Sequence, residues 1–326
     1  MFVTRRGEGR QDPRVSTSSG DSVFRGVLFF FTALVIVAAA ALLVSLIVQA
    51  WPALRRTGLT ALTTARWQPT NDIPVFGALS FIYGTIVTSV VAIILAGIVG
   101  VMVAVFLVEL APPMFARPVG FLVEMLAAIP SVIFGFFGVF VLIPLLLPVE
   151  QWLGVTFGFI PLFGGPVYTG HNLLTTGLVL AIMILPTVAA LSRDVMAAVP
   201  GSQREGMLAL GATKWETVRY VVIPYARAGI IGAVILALGR ATGETMAATM
   251  IIGNTPFIHA SLLQPGYSIT AVLASEAPEA FATPLYIGAL FELGLILLLI
   301  SVLLNVAARL LVWRVNRGRG ATTVRV

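Results

Sequence analysis

The amino-acid sequence predicts an all-α integral membrane protein with six transmembrane helices and both termini on the cytoplasmic side. Three observations carry this expectation: a large excess of apolar over charged residues, six apolar runs of membrane-crossing length, and cations gathered on one side. Of 326 residues, 58% are apolar and 10% charged, and the mean hydropathy is +1.00. A soluble domain carries about 25% charged residues, so apolar surface on this scale requires lipid.

The runs are Val27–Ala50, Ala78–Leu107, Phe121–Pro148, Leu173–Ala190, Ala228–Ile252 and Leu285–Val312. Each approaches or exceeds the roughly 20 residues that cross a hydrocarbon core. Pro130 and Pro144 lie inside the third run and argue against a straight helix there. Sixteen cations fall on the N-terminal arm, the loops after the second and fourth runs, and the tail. Three, Arg55, Arg56 and Arg66, fall on the opposite side, and the twentieth, Arg240, is inside a run. This asymmetry places both termini in the cytoplasm. The first run is longer than a signal-peptide core of about 7–15 residues and follows a polar arm, so it reads as an uncleaved helix despite Val48-Gln49-Ala50.

The domain reading follows. Residues 1–22, rich in Arg, Gly and Ser, form a disordered cytoplasmic arm. Residues 23–316 are the membrane domain, with a cytoplasmic loop over 193–227, and 317–326 are a tail. Of the outer segments, Trp51–Gly77 is polar and mixed, whereas Glu150–Asn172 is rich in Gly, Pro and aromatics and suits an interfacial belt.

Composition excludes several chemistries. With no cysteine and only His171 and His259, neither a thiolate nor a His-based metal site is expected. Gly206 to Gly211 has the first spacing of a phosphate-cradling loop, but Ala212 stands where lysine is required. No cofactor is therefore expected in this chain, no catalytic residue is assigned, and any ATP must be hydrolysed by another chain.

The loop carries the densest local signals. Pro200-Gly201 makes a turn, and Ser202-Gln203-Arg204-Glu205 has the form of a capping box in which Ser202 and Glu205 satisfy each other's backbone N–H. A short helix then stops at Gly211, a residue suited to a left-handed terminus. Thr213-Lys214-Trp215-Glu216 is a second box, opening a second helix that ends near Pro224. Two such helices can lie on the membrane or dock a partner.

A charge at the bilayer centre costs about 2.5–3.5 kcal/mol even on lenient scales, so ionisable residues in the runs need a partner or a task. Arg240 lies about twelve residues into the fifth run, roughly 18 Å deep at the rise of an α-helix. Glu244 is four residues on, which puts the two on one helical face and able to pair. Thr242, Thr245 and Thr249 add hydroxyls, and Gly239 and Gly243 allow close helix approach. Two readings stand: a salt bridge between buried charges, or an arginine that meets an anion in transit through its planar donor fork. Glu124 and Glu292 also lie in runs; the first is near enough to an end to snorkel, and the second has no assigned role.

Glu205, Gly211 and the ending Val221-Val222-Ile223-Pro224 reproduce the spacing E-A-A-x3-G-x9-I-x-L-P, with Gly206 and Met207 in place of the two alanines. That loop resembles the one in binding-protein-dependent ABC importer permeases. Ala128-Ile129-Pro130-Ser131 through Gly138, Leu185-Pro186 through Asp194, and Gly239-Arg240-Ala241-Thr242-Gly243-Glu244-Thr245-Met246-Ala247 with Ile251-Ile252-Gly253-Asn254 are similar to the PstC family of phosphate-importer permeases. The resemblance covers nearly all of the chain after residue 22.

It implies a type I ABC importer permease fold in the inner or plasma membrane. It also implies partnership with a PstA-like second permease, PstB-like ATPase subunits that bind ATP and magnesium, and a PstS-like phosphate-binding protein. Under it, Arg240, Glu244 and Thr245 line the route of the substrate, and Ser202, Glu205, Gly211 and Pro224 belong to the ATPase coupling loop. The alternatives are another oxyanion such as sulfate or molybdate, and an ion-coupled secondary transporter. The latter class commonly shows inverted repeats, which are not evident here.

Overall fold

In the computed structural model, residues 19–317 are described. The arm and tail expected at the termini fall largely on residues 1–18 and 318–326, outside that range, but Ser19 to Ser22, expected in the disordered arm, already belong to a helix. The chain divides into two compact units, Met1–Val48 and Gln49–Val326. Helix α1 (Ser19–Thr57) supplies the described part of the first unit, and its apolar side chains there are exposed almost throughout, as a lipid-facing helix requires.

The second unit begins with the end of α1, followed by a short helix α2 (Thr60–Thr63) and a two-stranded ribbon, β1 (Trp67–Gln68) against β2 (Val75–Phe76). These are the structure of the segment Trp51–Gly77 that the sequence shows only as polar and mixed. Helix α3 (Leu79–Val105) is the second crossing, and Gly84 lets it press on backbone: a Cβ there would sit 2.2 Å from the Tyr267 carbonyl oxygen. Among the described residues, six helices are long and apolar enough to cross a membrane.

The third run is not straight, as its prolines argued, but its bounds are corrected: Phe121–Pro148 spans the end of one helix and most of a separate crossing. Helix α4 (Pro113–Ala127) stops ahead of Pro130, whose preceding residue is biased away from helical geometry. The crossing itself is α5 (Ser131–Phe137), a π-helical turn at Gly138–Leu142, and α6 (Ile143–Thr156). The fourth, α7 (Leu173–Ala197), is longer than its apolar run and is the hub: α3, α4, α5 and α10 pack along it.

The fifth run is corrected too. The crossing begins earlier, at α9 (Lys214–Thr217), and passes through a π-helical turn at Val218–Val222 into α10 (Ile223–Thr242). A break at Gly243–Thr245 precedes the short helix α11 (Met246–Ile251). Helix α12 (Ile269–Ala280), which the apolar pattern did not announce, leads to the last crossing, α13 (Pro284–Arg317).

Among the described residues, three π-helical turns, at Phe106–Leu110, Gly138–Leu142 and Val218–Val222, share one position relative to proline. Each is closed by the N–H of the residue directly before a proline: Ala111 before Pro112, Ile143 before Pro144, Ile223 before Pro224. A proline ring in an ordinary helix clashes with the carbonyl four residues back. At Pro144 and Pro224, where the chain continues as helix, widening the turn by one residue relieves that clash. Ala111 is instead extended, and the helix has ended before Pro112.

Three apolar clusters follow α7 from end to end. Leu173 at its start joins Trp67, Phe81, Tyr267 and Tyr286, where Glu276 of α12 accepts from Trp67 Nε1 at 2.7 Å and Tyr286 Oη at 2.5 Å. Burial pushes the Tyr267 phenol up to about 12, so it too remains a donor to Glu276. Met183, Ile184 and Val188 form the middle with Ala237 and Ala241 of α10 and Ile251 of α11. Met196 at the far end packs on Ala104, Val218 and Val222.

Candidate functional site

The fifth crossing ends in the middle of the bundle for local reasons. Thr242 Oγ1 donates to the Gly239 carbonyl and Thr245 Oγ1 to that of Gly243, so hydroxyls compete with the helical ladder beside two glycines. The carbonyl freed at Glu244 is taken by Thr270 Oγ1 of α12 at 2.6 Å. Glu244 is consequently not on one helical face with Arg240, and of the two readings the salt bridge is not formed among the described residues. The Glu244 carboxylate turns the other way and accepts from the backbone N–H of Ala247 at 3.2 Å, in the first turn of α11. Thr245 occupies the N-cap position of that helix, its carbonyl accepting from Thr249 Oγ1.

Arg240 is left with one hydrogen bond among the described residues: Nη1 donates to Thr187 Oγ1 at 3.3 Å. Thr187 lies near the middle of α7, which supports the mid-membrane depth inferred from the sequence. The guanidinium is partly exposed, and no described carboxylate pairs with it. Thr187 stood within one of the resembling segments but nothing in the sequence singled it out. The other intramembrane acids have partners. Glu292 takes the Thr57 hydroxyl at 2.9 and 3.0 Å, and Glu124, on α4, pairs with Arg193 at 2.6 Å rather than snorkelling free.

At the opposite end of α10 lies the loop. Helix α8 (Gly201–Ala209) forms, but without the first expected box: Pro200 takes the N-cap position, no side chain caps it, and Ser202 already sits inside the first turn. A link of only three residues from α7 draws the helix start forward to Gly201. The stop is as read from the sequence. Gly211 has φ +86°, and the N–H groups of Gly211 and Ala212 return to the carbonyls of Leu208 and Met207, a Schellman closure. The second box is present, with Thr213 N–H on Glu216 Oε2 at 2.7 Å and Glu216 N–H on Thr213 Oγ1 at 3.3 Å. Its helix does not end near Pro224 but continues through the π-helical turn into the fifth crossing. Glu205 is exposed, and so are Leu208, Leu210, Trp215 and Tyr220. Arg204, counted in the sequence only for topology, makes three hydrogen bonds to groups outside its own helix. It pairs with Glu109, and 95 residues separate the two, so no local signal links them.

The fold and the loop define a class: a multi-pass membrane permease in which the crossing that holds a mid-depth arginine is continuous with a short-helix loop. Residues 100–317 match the family described as "Binding-protein-dependent transport system inner membrane component". The phosphate transport system permease protein PstC of Mesorhizobium japonicum is 44% identical over 306 residues, 92% of each chain. PstC of Haemophilus influenzae is 41% identical over 304 residues, 92% of this chain and 95% of that one. The probable PstC of Methanocaldococcus jannaschii is 35% identical, with coverage of 79% and 82%. An inward-facing structure of the MetNI methionine ABC transporter superposes with a TM-score of 0.53 at 18% identity, covering 72% of this chain and 94% of that one, which speaks to fold alone. The chain belongs to the PstC family of binding-protein-dependent transport permeases.

Proposed function

We propose that this chain is the permease subunit through which an ATP-binding-cassette importer moves inorganic phosphate across the inner membrane. In this reading it pairs with a PstA-like permease and receives phosphate from a PstS-like binding protein outside. PstB-like subunits hydrolyse ATP with magnesium in the cytoplasm, against the side that carries sixteen of the twenty cations.

The observation that carries the reading is Arg240. A guanidinium in the last turn of α10, set against the middle of the hub helix α7 with a single described hydroxyl partner, has donors to spare for an anion. Its fork matches two oxygens of a tetrahedral oxyanion. Glu244 and Thr245 hold the break next to it, and their rearrangement would change which polar groups face the route. Closure of the ATPase pair would push α8, and because α9 and α10 are continuous, the push reaches the crossing that ends in Arg240. Pro224 and its π-helical turn lie on that line.

The test is uptake of labelled phosphate by cells without their own high-affinity system, supplied with this chain and its partner subunits, with excess sulfate as competitor. Uptake resistant to sulfate, and lost in Glu244→Gln with normal assembly, is the expected result. An assembled complex that takes up sulfate or molybdate instead would overturn phosphate as the substrate. Uptake that stops when the proton gradient collapses while ATP is maintained would overturn the ATP-driven class.

A further inference from the structure

Helix α8 has a mechanical problem. None of its residues is buried, and a Cβ at Gly206 would meet nothing within 4 Å. A helix that touches its own protein so lightly transmits a push poorly unless something ties it down. Arg204 is the tie. Its Nε donates to Glu109 Oε1 at 3.0 Å and its Nη2 lies 2.9 Å from the same oxygen. Nη1 donates to the Val199 carbonyl and Nη2 to that of Met196, both at 2.7 Å. Glu109 sits in the π-helical turn that closes the second crossing, Met196 lies in the last turn of α7, and Val199 lies in the short link that follows it. One guanidinium therefore joins α8 to the ends of two membrane crossings. The Arg204 side chain is 21% exposed and that of Glu109 12%, so the pair is largely dry and weakly screened. The cation also lies at the negative end of the α7 macrodipole.

We propose that Arg204 is the positioning residue that makes α8 and the adjoining ends of α3 and α7 move as one body, so that force on the loop turns the hub helix as well as the fifth crossing. This deepens the reading of the chain as an ATP-driven permease and rests on it. Arginine is required because a single lysine ammonium cannot span Glu109 and two carbonyls in one plane. The interaction acts through the helices and never touches the transported ion.

The experiment uses the assembled transporter in liposomes with its binding protein, and reads phosphate imported per ATP hydrolysed. Because the chain has no cysteine, spin labels at Gln203→Cys and Leu110→Cys, with any cysteines of the partner subunits replaced, report the α8-to-α3 distance with no background from this chain. Expected in the unmodified tie is one distance that stays the same with and without ATP. In Arg204→Gln the distance should shift or broaden on ATP binding, and import per ATP should fall by about fivefold, the scale of a lost coupling contact. Glu109→Gln, which keeps an acceptor, should fall by less, and the double variant should be no worse than Arg204→Gln alone. Should Arg204→Gln fail to assemble, Arg204→Lys and Glu109→Gln give the same readouts. An unchanged ratio together with an unchanged distance in a variant would overturn the role of Arg204 while leaving the permease reading intact. A distance that already varies with ATP in the parent overturns it independently of which ion is carried.

Discussion

Arg204 and Arg240 stand in the same half of the chain, and their surroundings are opposite. Arg204 spends its donors on a carboxylate and two backbone carbonyls, so its position is fixed by three elements at once. Arg240 donates to one threonine hydroxyl, at 3.3 Å. A saturated guanidinium holds structure together, whereas an unsaturated one in a low-dielectric interior carries an electrostatic potential that a passing anion can satisfy. On the proposed reading Arg204 is a joint and Arg240 a binding group, and the contrast yields outcomes of graded size.

The largest effect is expected from Arg240→Ala: uptake should fall at least about 100-fold at unchanged membrane abundance, the scale of a removed charge-stabilising donor. Arg240→Lys keeps charge but loses the fork, and an intermediate loss of about tenfold is expected. If alanine at 240 transported normally, the contrast between the two arginines would collapse. A sharper split comes from the concentration dependence of uptake. Arg204→Gln should leave half-saturation unchanged and lower the maximal rate, while Arg240 variants should alter both. Next in size is Thr187→Val, which removes the only described partner of Arg240 and should change uptake about twofold, within the net worth of one hydrogen bond. The smallest effect belongs to Gly211→Ala. Its φ of +86° costs an L-residue about 1–2 kcal/mol. No atom lies within 4 Å of the added methyl, so the penalty is conformational alone and should appear as a modest drop in thermal stability of the assembled complex.

Much of the fold could be read from the chain because membrane crossing is a problem of length and hydropathy, and those are local. The Gly211 stop and the Thr213–Glu216 box were legible for the same reason: each is closed by residues within a turn of one another. What failed was non-local. The Ser202–Glu205 box lost to the short link from α7, which placed Pro200 at the cap. The Arg240–Glu244 pair assumed an unbroken helix, and the break is held from outside by Thr270 of a helix with little sequence signature. Arg204 found Glu109 across 95 residues, and Glu292 found Thr57 across 235, separations that no periodicity records.

The π-helical turn before Pro224 also sets an angle. Each added residue in a helix of about 3.6 residues per turn advances the azimuth by roughly 100°. The extra residue within Val218–Val222 therefore decides which way Lys214 and Trp215 point when viewed down α10. The loop's facing surface is thus encoded as a phase, and deleting one residue from that turn would rotate it relative to the membrane crossing while leaving every loop side chain in place.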